Sequence, residues 1–256
     1  MSAENKNAKN SAERLLEDYL YTSDKARMSS MVKGMTESAV AQLSKAMETL
    51  RDPSRDTAAQ MAEADDAIDT LEEQIDHECL YSIAMRQPLR ENLRYVYGIM
   101  KMIIDIERIG DQSVDIARLL RKYAESGAPA RPLPRTDEME AIGAKCAEMA
   151  GDFLKALEDE DEGILKRMGR KHDDVRSVYE DSGTLLFKSL SLPCSAEDHI
   201  GVHISLQILW HLKRISDHLI NLAEKVHFIA TGISPLTLKK RRRASQYDET
   251  RIWSDV

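Results

Sequence analysis

The segment "IIDIERIGDQSVDIA", residues 103–117, decides how this chain is read. It sets Asp105, Glu107, Asp111 and Asp115 among five isoleucines. On a helix at about 100° per residue, with Glu107 at zero, Asp111 falls near 40° and Asp115 near 80°. Met100, Ile103, Ile104, Gly110 and Val114 lie on that same side. The acids therefore share the apolar face instead of opposing it. Asp105 points the other way and reads as a surface acid. Gly110 costs about 1 kcal/mol mid-helix relative to alanine. It fits either close helix approach beside a ligand or close packing alone.

The segment has a sister. "IERIGDQSVDIA" (106–117) aligns with "LKRISDHLINLA" (212–223), with Arg, Ile, Asp and Ala identical at four of twelve positions. The preceding stretches also align, "DDAIDTLEE" (65–73) over "HDDVRSVYE" (172–180). The offsets are 106 and 107 residues, so the chain reads as a tandem duplication.

Five breaks divide it: Pro53, Pro88, the run "SGAPARPLPRTD" (126–137), the acid-rich 158–163, and Pro193, after which Ser195 is placed to cap a helix. Between them lie six segments with helical apolar spacing, at about 12–50, 55–85, 89–125, 137–157, 161–191 and 196–231. The expectation is an all-α fold: two tandem three-helix bundles, six long helices in all, at 12–125 and 137–231. A Pro-rich linker at 126–136 joins them. A flexible N-terminus (1–11) and a tail (232–256) flank them.

Composition agrees. Of 256 residues, 31% are charged and 5% aromatic, with 11 Gly and 7 Pro. Few breakers and many charges suit helices, and scarce aromatics disfavour a β-sandwich. A net charge of −8 argues against general nucleic-acid binding. No apolar run reaches eighteen residues, so no membrane span is expected. The N-terminus lacks the apolar core of a secretion signal. Cys79, Cys146 and Cys194 form no CxxC pair and read as buried thiols of a cytoplasmic protein. The twelve methionines and Trp210 read as core. The basic run "KKRRRAS" (239–245) reads as a solubilising tail.

The helix before the opening segment repeats its habit. Asp65, Asp69, Glu72 and Asp76 fall within about 60° of one another, beside Ile68, Leu71, Ile75 and Cys79. Carboxylates at i and i+4 repel, and partial burial worsens this. Raised pKa values, ion pairs or a bound cation relieve it. Arg108 lies about 100° away and Arg118 a turn beyond Asp115, which leaves the stripe short of basic neighbours. Oxygen-only ligands suit hard ions such as magnesium, manganese, calcium or iron. The bland alternative is a solvated acidic face that meets a basic partner.

These residues resemble the PhoU family. The likeness is carried by "DIERIGDQSVDIA", by "MRQPLRENLRYVYGIMKMI" before it and by the diverged "HLKRISDHLINLAEKV", and it spans roughly 25–231. It implies two tandem three-helix bundles in a cytoplasmic negative regulator of phosphate uptake. The implied partners are the ATPase of a phosphate ABC transporter and a sensor histidine kinase, and a homodimer is expected. It also implies metal, including iron or zinc, at acidic motifs matched by Asp65, Asp69, Glu107 and Asp111, with Asp115 continuing the stripe. The second half departs from the motif. His172, Arg176, Lys213, Asp217 and Asn221 stand at the equivalent positions. Their formal charge of +1 against −5 predicts a lost second site, with Asp217 paired to Arg176 or Lys213.

Two other classes compete. A helical metal-dependent enzyme would be of the nucleotide pyrophosphohydrolase or di-iron type. The di-iron kind needs two Glu-x-x-His motifs, and only Glu224-x-x-His227 is found. A metal-free helical adaptor is the other. No nucleophile–base pair or Gly-rich phosphate loop occurs, and the expectation is a non-enzyme.

Overall fold

The computed structural model describes residues 3–51, 55–126, 133–192, 195–234 and 237, with side chains from residue 20 onward except 52–57. Among them there are six helices and no strand: α1 Ala3–Glu48, α2 Arg55–Arg86, α3 Glu91–Glu125, α4 Thr136–Asp159, α5 Ile164–Ser189 and α6 Ala196–Thr231. The expected bounds hold closely, and α6 matches them to the residue. Ser195 caps α6 as expected, in a capping box with Asp198. The N-terminus differs. Residues 3–11, expected to be flexible, continue α1. From Ala3 to Glu48 there is no proline and only Gly34, so nothing in the chain stops the helix at residue 12. Most of the Pro-rich linker and the basic run at 239–245 lie outside the described residues.

Each half is a three-helix bundle. α1, α2 and α3 pack on one another, as do α4, α5 and α6. The halves meet along α3 and α6 and along α1 and α4, whereas α2 and α5 each touch only helices of their own half. Gly98 lies against Ile229, Asp105 against His218 and Asn221, Gln112 against His211, and Gly201 against Tyr123. Numbers rise on α3 as they fall on α6, so the two helices run antiparallel. Met102, Ile109 and Ile116 are fully or almost fully buried within the single chain, which uses them as core and leaves none for a second copy. Cys79 and Cys146 are buried free thiols, as expected. Trp210 corrects the reading. It was expected in the core but is 47% exposed, edge-on to His211, with Arg214 over its ring. Ile104, the residue 106 positions earlier, is likewise exposed, because this strip of each third helix has no helix over it.

Asp105 is the second correction. It was read as a surface acid and is buried at the α3–α6 contact. Its carboxylate meets His218 Nδ1 at 2.8 Å, accepts from Asn221 Nδ2 at 3.2 Å and pairs with Lys225. The wheel had placed it correctly away from the acidic stripe; what lies on that side is the other half of the chain, not water. The partner pair across the contact is Gln112 and His211, at 2.9 Å. His211 stands 106 residues after Asp105, and His218 stands 106 after Gln112. The two bridges are therefore copies of one another about a pseudo-two-fold axis. Under that offset His211 takes the place of Asp105 and Gln112 the place of His218, so the second bridge has a neutral amide and no carboxylate.

Burial alone would raise the Asp105 carboxyl. The His218 hydrogen bond, the Lys225 charge and the bonds from Lys225 and Asn221 outweigh it and hold the group below the usual carboxylate range. A depressed carboxyl stabilises the fold above its unfolded pKa, near 4, and that contribution is lost as pH falls through the folded value. Asp105→Asn is expected to lower unfolding free energy at pH 7 by about 2–4 kcal/mol, with the difference closing toward pH 3, as read by urea denaturation. Gly98 offers an independent check, since a Cβ there would sit 2.6 Å from Ile229 Cγ1 and Cδ1. Gly98→Val is expected to cost about 1–3 kcal/mol through overpacking, despite removing a helix glycine.

Candidate functional site: an acidic face on α2 and α3

The two acidic stripes face each other across the α2–α3 contact. Gly110 allows this. A Cβ there would lie 3.0 Å from Ile68 Cδ1 and 3.1 Å from Asp65 Oδ1, so the glycine sits where α2 comes close to α3. Gln42 of α1 reaches the same spot. Asp65 is thereby half-buried beside α3, and its carboxyl is raised by burial and by the charges of Asp111 and Asp69. Glu72 is raised by burial and by Asp69, Asp76 and Asp111. Glu107, whose side chain is 16% exposed, is pushed up to about 7 by burial, with Asp111 and Glu72 adding to it.

Above Gly110, toward the start of α3, the face opens into a groove of about 350 Å³. Asp69, Glu72, Glu73 and Asp76 form its α2 wall, and Met100, Ile103 and Ile104 its floor. Below it, arginines intervene. Arg108 reaches Glu107 at 3.2 Å and Asp111 at 2.7 Å, and Arg118 reaches Asp115 at 2.9 Å. Here the sequence reading is corrected. Both arginines had been placed too far round the helix, but an arginine side chain is long enough to bend back one turn to an acid at i−3 or i+3.

The structure thus brings Asp65, Asp69, Glu107 and Asp111 to one face and sets Asp115 at its edge. The donor chemistry, oxygen only, fits a hard cation. Among the described residues, however, no three histidine, cysteine or carboxylate side chains converge tightly enough to hold one ion.

The equivalent face of the second half is neutralised internally. Lys213 Nζ pairs with Asp217 at 2.7 Å, and Arg214 approaches the same carboxylate at 3.9 Å. Of the two partners expected for Asp217, Lys213 is the one found; Arg176 turns to Asp173 at 3.2 Å. His172 bonds Ser216 Oγ at 2.9 Å through Nδ1, and burial lowers its pKa. Asn221 leaves this face and serves Asp105. The Asp105 bridge and its Gln112–His211 counterpart were missed. The signal was present as His211 and His218, seven residues apart on one face of α6.

The Glu107 shift yields a test. A carboxyl raised in the fold weakens stability as pH climbs from its unfolded value toward and past about 7. Glu107→Gln is therefore expected to raise Tm by about 2–4 °C at pH 8 and to leave it unchanged at pH 5, by calorimetry. An equal shift at both pH values would mean that the side chain acts by packing and not by charge.

Comparison with known proteins gives a consistent answer. The PhoU domain matches residues 32–120 and again 139–226, one copy in each bundle. The chain is 32% identical over 215 residues to the phosphate-specific transport system accessory protein PhoU homolog of Xylella fastidiosa strain Temecula1, covering 83% of this chain and 85% of that one. The homolog of the same name from Pseudomonas aeruginosa is 31% identical, over 75% and 77% of the two chains. Among solved structures, PhoU from Pseudomonas aeruginosa superposes with a TM-score of 0.76 at 28% identity, over 83% of this chain and all of that one. The regulatory protein PhoU from Streptococcus pneumoniae, at 21% identity and a TM-score of 0.74, shares the fold. With the domain present twice and relatives matched over most of their length, this chain belongs to the PhoU family.

Proposed function

We propose that this chain is an accessory protein of a phosphate-specific transport system and a negative regulator of phosphate uptake. The observation that carries the reading is the pair of PhoU domains, with the Xylella fastidiosa relative of that name matched over more than four-fifths of both chains. It acts in the cytoplasm by contact with the transporter's ATPase and with a sensor histidine kinase, as a homodimer. No described helix is long and apolar enough to cross a membrane, which accords with a chain that meets the transporter from outside the bilayer. In a strain lacking the gene, phosphate uptake in phosphate-rich medium is expected to rise severalfold and to fall back when the chain is re-expressed. Uptake unchanged by deletion would sink the reading.

The acidic face is the proposed metal site, through Asp65, Asp69, Glu107, Asp111 and Asp115. Mutual repulsion supports it, since the half-buried carboxylates of Asp65 and Glu107 gain from any cation that reaches them. Bound metal would supply positive charge to join α2 to α3. For Asp111 to contribute, Arg108 must give up its ion pair. The second face, already neutralised by Lys213, is proposed to take none. Protein purified without chelator is expected to carry iron, zinc, manganese, magnesium or calcium in stoichiometric amount, lost in Asp111→Ala, by elemental analysis. Metal-free wild-type protein would leave the adaptor reading. Metal-dependent release of pyrophosphate from nucleotides, abolished in Glu107→Ala, would instead favour the enzyme.

A further inference from the structure

The third helix of each half leaves one strip uncovered, and the two strips open on the same side of the molecule. Around α3, the direction of Asp105 leads to α6 and that of Gly110 leads to α2. Between those directions lie Met102, Ile106 and Ile109, all buried, and α1 fills that arc. Ile104 points the opposite way and is 45% exposed. α6 repeats this arrangement with α4 in the place of α1. α1 and α4 also touch each other, so both strips face away from them, on one common side.

The two strips are opposite in character. Beside Ile104 lies the groove of about 350 Å³, with Met100, Ile103 and Ile104 as its floor and Asp69, Glu72, Glu73 and Asp76 on its α2 wall. None of the four acids forms an ion pair with a described residue. The positions 107 residues later, on α5, hold Arg176, Tyr179, Glu180 and Gly183, so a wall of formal charge −4 in the first half has no net charge in the second. Ile104 is matched by Trp210, which is 47% exposed. Arg214 lies over the Trp210 ring at 5.9 Å. Lys213 and Arg214 share a single carboxylate, Asp217, at 2.7 and 3.9 Å, which leaves positive charge in excess there. One strip thus offers an apolar floor beside unpaired acids, and the other an exposed indole beside cations.

The register of α3 on α6, set by Asp105 with His218 and Gln112 with His211, places Ile104 and Trp210 about 14 Å apart along the helices. Groove and indole therefore stand at the two ends of a diagonal across one face. A two-fold axis lying in that face, perpendicular to the diagonal, sets each over the other in a second copy. We propose that two copies of this chain pair through this face, with Trp210 of each in the α2–α3 groove of the other and Lys213 and Arg214 against the acids of α2. Such pairing rests on the homodimer proposed above and gives it an interface. An indole closed in against an apolar floor is the kind of anchor that dominates the energy of an interface, and the two-fold symmetry supplies it twice. The core positions Met102, Ile109 and Ile116 take no part.

Two variants test the pairing. Trp210→Ala removes the indole and leaves the groove open. Ile104→Arg sets a cation on the groove floor and leaves the indole in place. Both residues are half-exposed, and circular dichroism checks that each variant keeps its helices. In sedimentation velocity, the wild-type full chain is expected at twice the chain mass, and each variant alone to associate at least about thirtyfold more weakly. Mixing the two variants is expected to restore a dimer, because the indole of one still finds the open groove of the other. A second measurement needs no disruptive substitution. Isotopically light chains with the photoreactive benzoylphenylalanine in place of Trp210, mixed with heavy wild-type chains, are expected to link to Met100, Ile103 or Ile104 of the heavy chain, read by mass spectrometry. These links decide alone if a variant loses its helices. A monomeric wild-type chain would remove both this interface and the homodimer. A wild-type dimer that either variant leaves intact, variants that stay apart when mixed, or photolinks confined to other surfaces would overturn this interface and leave the homodimer standing. Assemblies larger than two copies would refute the reciprocal pairing.

Discussion

The antiparallel contact of α3 with α6 is the constraint on which the rest of this molecule depends. It turns two bundles into one body, and it fixes which sides of the third helices remain for anything else. The contact is close at Gly98, where a side chain would run into Ile229. It is specific because Asp105 needs the partners it finds across it. A buried carboxylate without His218, Asn221 and Lys225 is strongly unfavourable, so the halves cannot slide along one another without stranding that charge.

The same contact explains how one duplicated scaffold carries two different faces. About its pseudo-two-fold axis most apolar positions are preserved, down to the exposed pair Ile104 and Trp210, though buried Ile99 and Leu119 give way to Ser205 and Lys225. The charges are not. His211 stands where Asp105 is, Gln112 where His218 is, and Lys213 where Glu107 is. Packing constrains the buried positions, where a change of volume is felt throughout the core. The outward positions are free to take either sign. Hence the first half keeps mutually repelling acids, while the second closes its charges internally through Lys213 and Asp217.

α2 belongs wholly to the first half and, among the described residues, touches no helix of the second. This leaves the acidic face open at the side of the molecule and lets Gly110 bring Asp65 beside α3.

Much of this was legible beforehand. The six helices followed from the 3.6-residue spacing of apolar residues and from prolines between them. The repeat of "ERIGDQSVDIA" as "KRISDHLINLA" gave the duplication and the family, and the helical wheel put Glu107 and Asp111 on an apolar face because that placement depends only on local geometry. Asp105, Trp210 and the two arginines were misread for one shared reason. A wheel gives the direction in which a side chain leaves its own helix, not what waits there. Tertiary structure supplied His218, Asn221 and Lys225 opposite Asp105, left the strip at Trp210 uncovered, and let Arg108 and Arg118 bend back onto the acids. The sequence by itself determined the helices, the repeat and the excess of negative charge; only the packing of α6 on α3 decided which acids are bound within the protein and which are left facing outward.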